Sequence, residues 1–250
     1  DKKCIFKSQH NKSCTGNDKG ICRYCTKKRK DFDISWVEAK DINIGDFLVK
    51  KPINPEYLGS TIDISLYVQR PFDIKENKIF IKDKLGRYTG DSFNRYWDID
   101  NDLAYYFGLY LSEGWLGKQR GKYISVNTVH NKKEFDHINR IINNISKKYN
   151  LKFSYKDFGT HVNFYIFDYI FSDIIYGLFN CGSATKSVKF FTKELDRKIL
   201  AGLFYGDGHY DKTHVVLTSI NMNLINFATI VLENDFISTC LKKHYDNGHQ

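Results

Sequence analysis

Downstream of residue 100 the apolar positions fall into a regular order of helical and extended stretches. Leu103 to Leu111 is a dense apolar run closing on Ser112-Glu113-Gly114 and predicts a helix, with a strand expected at Tyr123 to Thr128. Phe135, Ile138, Ile141, Ile142, Ile145 and Tyr149 recur at helical spacing, and two short strands are expected at Lys152 to Lys156 and His161 to Phe167. Phe167, Ile170, Phe171, Ile174, Ile175 and Leu178 form another helical stripe, predicted to end at Gly182. The order then restarts: Leu195 to Gly206 reads as helix, Val215 to Ile220 as strand, Leu224 to Leu232 as helix and Ser238 to Lys243 as strand. This is an α+β pattern repeated at a spacing of 94 residues, from Glu113 to Asp207, with 43 residues after Asp207, so an incomplete second copy is expected.

Upstream the pattern is weaker. Residues 1–33 are polar, basic and Cys-rich, ending in Lys27-Lys28-Arg29-Lys30, and residues 34–60 read as short strands around the Gly45-Asp46 turn. The stretch from Ile62 to Ile81 alternates too weakly to assign as strand or linker.

Aligned on their terminal acids, the two apolar helices match position by position: Phe107-Gly108-Leu109-Tyr110-Leu111-Ser112-Glu113-Gly114 against Ala201-Gly202-Leu203-Phe204-Tyr205-Gly206-Asp207-Gly208. Gly108 and Ser112, like Gly202 and Gly206, stand four apart on one helix face, where small residues let two backbones touch. Glycine inside a helix costs up to about 1 kcal/mol relative to alanine, so accepting it twice suggests a packing purpose. Neither acid stabilises its own helix, because the macrodipole disfavours a negative charge at a C-terminus. Two helices packed closely would bring the carboxylates together, an arrangement that calls for a cation. Oxygen ligands suit Mg2+, held by one or two carboxylates with water and substrate phosphate, in the chemistry that hydrolyses phosphodiesters. The plainer alternative, two buried core helices each with a capping acid and glycine, is weakened by the in-register repetition.

These residues resemble the LAGLIDADG homing endonucleases in their two-motif form, with Leu200-Ala201-Gly202-Leu203-Phe204-Tyr205-Gly206-Asp207-Gly208 as the second motif and the stretch ending Leu111-Ser112-Glu113-Gly114 as the first. The resemblance spans residues 98–250 and implies two αββαββα units, 98–182 and 183–250, related as a pseudo-dimer with the motif helices at the interface. It implies a monomer with internal pseudo-twofold symmetry whose sheets saddle the major groove of a long, asymmetric duplex target. The activity implied is site-specific double-strand cleavage, with Glu113 and Asp207 catalytic and Mg2+ held by them and by the backbone carbonyls of Ser112 and Gly206. A maturase or silent DNA- or RNA-binding protein on the same scaffold is the competing function.

Gly182-Ser183-Ala184-Thr185-Lys186-Ser187-Val188-Lys189 resembles the lysine block that precedes the second motif in intein-associated members, which makes Lys186 a candidate for steadying charge at the scissile phosphate. A solvated turn lysine is the alternative. Lys118, Arg120, Lys122, Lys152, Lys156, Lys242 and Lys243 lie in or beside strand candidates and would meet phosphates if those sheets face DNA. Farther upstream, Trp36-Val37-Glu38-Ala39-Lys40-Asp41-Ile42-Asn43-Ile44-Gly45-Asp46 resembles the end of the N-terminal splicing half of inteins, so residues 34–60 are expected to be an intein-like fragment of partly β character, retained as ancestry or as part of a splicing intein.

The bulk numbers agree with this reading without deciding it. The 250 residues are 42% hydrophobic and 16% aromatic, enough for a folded core, and 38 Lys+Arg against 29 Asp+Glu leave +9, which favours a polyanionic partner. No stretch approaches the roughly 20 apolar residues of a membrane span, so a soluble intracellular protein is expected. Of the 6 Cys, Cys4, Cys14, Cys22 and Cys25 crowd the start; with His10 they exceed the four ligands of a structural zinc, and Cys22-Arg23-Tyr24-Cys25 has knuckle spacing, against the alternative of free thiols. Cys181 and Cys240 are expected in the core.

Overall fold

A computed structural model of the chain describes residues 54–235 apart from 120–121, 130–133, 183 and 212–213, together with 237 and 239. The zinc candidates Cys4, His10, Cys14, Cys22 and Cys25, most of the intein-like stretch, Arg120, Lys242, Lys243, Cys240 and the last expected strand lie outside the described residues. Residues 1–51 form a unit separate from 52–250, and every described element belongs to the second unit.

The unassigned stretch before the first motif is β structure. β1 (Thr61–Asp63) pairs antiparallel with β5 (Tyr96–Asp98), while β2 (Phe72–Lys75), β3 (Lys78–Lys82) and β4 (Tyr88–Asn94) form a meander. Its alternation is hard to read because only one face is apolar and the strands are short: Ile79 and Ile81 are buried, whereas Lys78 is exposed. Asp63 ties the two parts together by accepting from Arg95 Nη2 at 2.6 Å, and this guanidinium holds its carboxyl below the usual range.

α1 (Asn101–Glu113) starts where Asp100 caps the backbone N–H of Leu103. It runs straight into β6 (Gly114–Gln119), then β7 (Lys122–Val129), α2 (Phe135–Tyr149), β8 (Phe153–Asp157), β9 (Val162–Ile166) and α3 (Tyr169–Phe179). The four strands make one antiparallel sheet in the order β6-β7-β9-β8. The strand β6 is not foreseen by the hydrophobic pattern, since Gly114-Trp115-Leu116-Gly117-Lys118-Gln119 has no alternation to announce it. α3 begins and ends inside its predicted span, because Asp168 caps its first turn and Asn180, at φ +62°, stops it before Gly182.

The second copy repeats the first half of this order: α4 (Lys193–Asp207), β10 (Gly208–Asp211), β11 (His214–Leu217) and α5 (Met222–Asn234). The two motif helices end alike. Gly114 (φ −92°, ψ 153°) and Gly208 (φ −93°, ψ 148°) leave the helix in extended conformation, each donating its N–H to the carbonyl four residues back, Tyr110 and Phe204. The core lies around α1, whose Leu103, Ala104 and Tyr106 to Leu111 are all buried between the sheet and α4. Cys181, expected in the core, is instead exposed: it follows the cap of α3 and lies in the turn at Gly182.

Candidate active site

Close approach of α1 and α4 is possible only through their glycines. A Cβ on Gly108 would stand 2.0 Å from the carbonyl oxygen of Ile199 and 2.8 Å from the Cα of Gly202, and one on Gly202 would stand 2.2 Å from the carbonyl oxygen of Tyr105. One turn on, a Cβ on Gly206 would meet Ser112 Oγ at 2.3 Å and Glu113 Cγ at 2.8 Å. The helices therefore touch backbone to backbone with their acid ends together, in agreement with the spacing of their small residues. Glu113 and Asp207 emerge side by side.

Their electrostatics follow from that placement. Burial pushes the Asp207 carboxyl up to about 6, the Glu113 charge adds to the rise, and Lys186 opposes it. Lys186 is almost fully buried, and desolvation brings its ammonium down to about 8 against the pull of Asp207 and Glu113. Its Nζ donates to the backbone carbonyls of Tyr110 (2.7 Å), Leu111 (3.0 Å) and Gly114 (2.7 Å). The ammonium donors go to the last turn of α1 and its cap residue Gly114, where a cation also meets the negative end of the helix. The surface-lysine alternative is thus excluded by burial. The turn that carries it is set by Gly182 at φ +92°, which accepts from the N–H groups of Thr185 and Lys186, and the carbonyl of Lys186 accepts from Asn221 and Asn223 at the start of α5. Lys186→Met is expected to lower unfolding free energy by about 2 kcal/mol or more, because three carbonyls lose a charged donor; urea denaturation measures it.

Of the other expected residues, Ser112 and Gly206 sit at the helix contact. Lys118 and Lys122 lie in the hairpin that leaves Glu113, Lys156 lies on β8 with its ammonium 4.7 Å from the centre of the Phe158 ring, and Lys152 precedes that strand; Lys152 and Lys156 are exposed. These positions are spread along the sheet rather than gathered at the acids. Sequence reasoning missed Asn127, paired opposite Gly114 in β7 and buried there. Ser125 of the same strand is also buried and polar, so no local pattern sets Asn127 apart.

Two carboxylates meet at the helix ends, and among the described residues no group of three or more His, Cys, Asp or Glu side chains forms a denser centre. That donor set is too sparse for a structural transition-metal site and fits a hard cation that keeps water and takes substrate oxygen. No helix among the described residues is long and apolar enough to cross a membrane.

Two family models match the chain: a LAGLIDADG-like domain over residues 194–250 and lysyl oxidase over residues 1–70, most of the latter span lying outside the described residues. The LAGLIDADG-like match begins at Glu194, within the second motif helix. Among curated proteins it is 28% identical over 225 residues to the uncharacterized protein MJ1054 of Methanocaldococcus jannaschii, a match covering 78% of this chain and 23% of that protein. It is 26% identical over 212 residues to DNA-directed RNA polymerase subunit Rpo1C of the same organism, covering 82% of this chain and 24% of that protein. The chain spans about a quarter of the length of these curated relatives. Among solved structures, I-DmoI in complex with DNA and Ca overlaps 54% of this chain and 71% of its own at 17% identity and a TM-score of 0.42. The homing endonuclease I-WcaI bound to its DNA recognition sequence overlaps 59% and 72% at 18% identity and 0.37.

Proposed function

We propose that this chain is a metal-dependent, site-specific double-strand DNA endonuclease in which α1 and α4 deliver one acid each to a shared centre on a pseudo-twofold axis. The observation that carries the reading is the backbone contact of Gly108 with Gly202, together with the approach of the Ser112 and Glu113 side chains to Gly206, which brings the acid ends of the two helices together. Such a contact costs helix propensity at both glycines and brings two negative charges together, so its benefit lies in what the acids hold. The LAGLIDADG-like family match and the basic charge point the same way.

In this reading Glu113 and Asp207, with the carbonyls of Ser112 and Gly206, hold Mg2+, which when bound supplies an activated water and charge neutralisation at the phosphate. The chain's own residues do the positioning. Lys186 pins the end of α1, keeps the helix carbonyls out of competition for solvent and lends its positive charge to a site with two carboxylates. The sheet β6-β7-β9-β8 leaves the acids directly through Gly114, and strand pleat sets Trp115 of β6, Tyr165 of β9 and Ser154 and Lys156 of β8 on the face away from α1. A sheet of this kind fits the major groove, with lysines such as Lys156 on phosphates. The residues at 34–60 are read as intein-like ancestry.

Incubating the protein with a randomised duplex library and Mg2+, then sequencing the cut ends, tests the proposal. Recovery of one long, asymmetric site cut on both strands is expected. Enrichment of bound but intact duplexes would favour the silent binding protein on the same scaffold.

A further inference from the structure

The segment from Tyr57 to Asp63 is bonded to the residues that precede each motif helix. On one side Tyr57 bridges Phe190 in parallel, and the N–H groups of Leu58 and Gly59 donate to the carbonyls of Phe190 (2.8 Å) and Phe191 (3.0 Å), the two residues before the cap of α4. The Tyr57 ring stands edge-on to Phe190 at 6.3 Å, and Phe190 in turn lies on Phe227 of α5. On the other side the Ser60 carbonyl accepts from the Ile99 N–H at 2.7 Å, and β1 pairs with β5, so Thr61 to Asp63 are tied to the residues that lead into α1. Thr61 Oγ1 donates to Asp98 at 2.7 Å, and Ile62 and Phe191 are both buried. The strap passes from the second half to the first at Gly59.

Gly59 makes that passage possible. It has φ +88°, and a Cβ there would meet nothing within 4 Å, so conformation and not space calls for glycine. The strap holds the starts of the two helices, whereas the acids stand at their ends. Between the two, α1 and α4 touch backbone to backbone at Gly108 and Gly202. Interlocking side-chain ridges normally set the angle between two helices, and a glycine contact lacks them, so restraint at the helix starts gains weight. Glu113 and Asp207 follow the contact by the same interval, from 108 to 113 and from 202 to 207. That interval is about 8 Å along the axis at about 1.5 Å per residue. A change of about 10° in the angle would move an acid end by about 1.4 Å, beyond the roughly half an ångström that a shared cation tolerates.

We propose that residues 57–63 are a clasp across the starts of the two motif helices, whose backbone bonds at Leu58, Gly59 and Ser60 fix the angle between α1 and α4 and thereby the separation of Glu113 and Asp207 at the far ends. Leu58 and Gly59 are positioning residues: they act through Phe190 and Phe191 on α4. The effect on cutting rests on the endonuclease reading above, while the effect on helix geometry stands without it.

The test is Leu58→Pro, which removes the N–H that bonds the Phe190 carbonyl, beside Leu58→Ala, which keeps it. Spin labels carried on p-acetylphenylalanine in place of the exposed Trp115 of β6 and Tyr210 of β10 report the spacing beside the two acids by double electron–electron resonance. Leu58→Pro is expected to broaden the distance distribution at least twofold and to slow cutting per bound duplex about tenfold, with Leu58→Ala matching the wild type in both. Gly59→Ala, which forces a side chain into the left-handed region, is expected to broaden the distances as well, and it carries the test if Leu58→Pro does not fold. A clasp with only a structural role would lower the thermal midpoint and leave the distances alone. Wild-type distances in folded Leu58→Pro or Gly59→Ala would therefore overturn the proposal, as would equal broadening in Leu58→Ala. Broadened distances in Leu58→Pro beside a wild type that cuts no duplex would count against the endonuclease reading and leave the clasp standing.

Discussion

Glu113→Gln and Asp207→Asn are each expected to abolish double-strand cleavage, lowering the rate by about a thousandfold, or roughly 4 kcal/mol of transition-state stabilisation. Duplex affinity should stay within about tenfold, since phosphate and base contacts along the sheets are untouched. The two substitutions should part company in stability. The folded-state pKa of Asp207 is raised to about 6 from an ordinary 3.8, first by burial and then by Glu113. Between those values the native protein binds more protons than the unfolded chain, so stability falls as pH rises through that window and stays reduced at neutral pH. Asp207→Asn removes this penalty and should raise the thermal midpoint at pH 7 while leaving it nearly unchanged at pH 3.5. Plasmid cleavage, filter binding and calorimetry at two pH values check the set. Wild-type cutting by either variant would remove the carboxylates from the proposed chemistry.

The parts of this molecule that are legible in its sequence are those with a strong local signature. The isoleucines of α2 announce a helix by period alone, and Gly108, Ser112, Gly202 and Gly206 announce a helix contact because glycine in a helix interior has few other uses. Lys186 is marked only by likeness to a motif, and its role depends on something no local pattern states: it lies 76 residues from Tyr110 in sequence and reaches that carbonyl through a glycine turn. β6 and β10 are hidden for a different reason. They begin at the cap glycine itself, so the helix signal runs to their first residue, and strands this short show too few positions for an alternation to stand out. Asn127 illustrates the limit most clearly. Nothing in Val126-Asn127-Thr128-Val129 says which side of the strand faces the motif helix; the pairing with Gly114 decides it.

Among substitutions that leave both acids in place, Gly202→Ala should be the most damaging to cutting. Its single methyl would have to fit where the Tyr105 carbonyl oxygen now stands 2.2 Å from the ideal Cβ position, with Leu109 N at 2.9 Å and the Cα of Gly108 at 3.0 Å. All three are backbone atoms of a buried helix and none can rotate aside. The motif helices must separate, at a cost of about 1–3 kcal/mol for overpacking, and the carboxylates separate with them. A shared cation tolerates only about half an ångström of misplacement, so cleavage per folded molecule should drop by about a hundredfold or more. Gly177→Ala provides the control. Its Cβ would meet the Tyr67 ring at 2.5 Å, a packing conflict of similar severity between α3 and the segment before β2 rather than at the helix pair. It should lower the thermal midpoint while sparing specific activity. Circular dichroism gives the folded fraction and the plasmid assay gives the rate; a Gly202→Ala protein with the specific activity of Gly177→Ala would mean that the contact between α1 and α4 does not set the distance between Glu113 and Asp207.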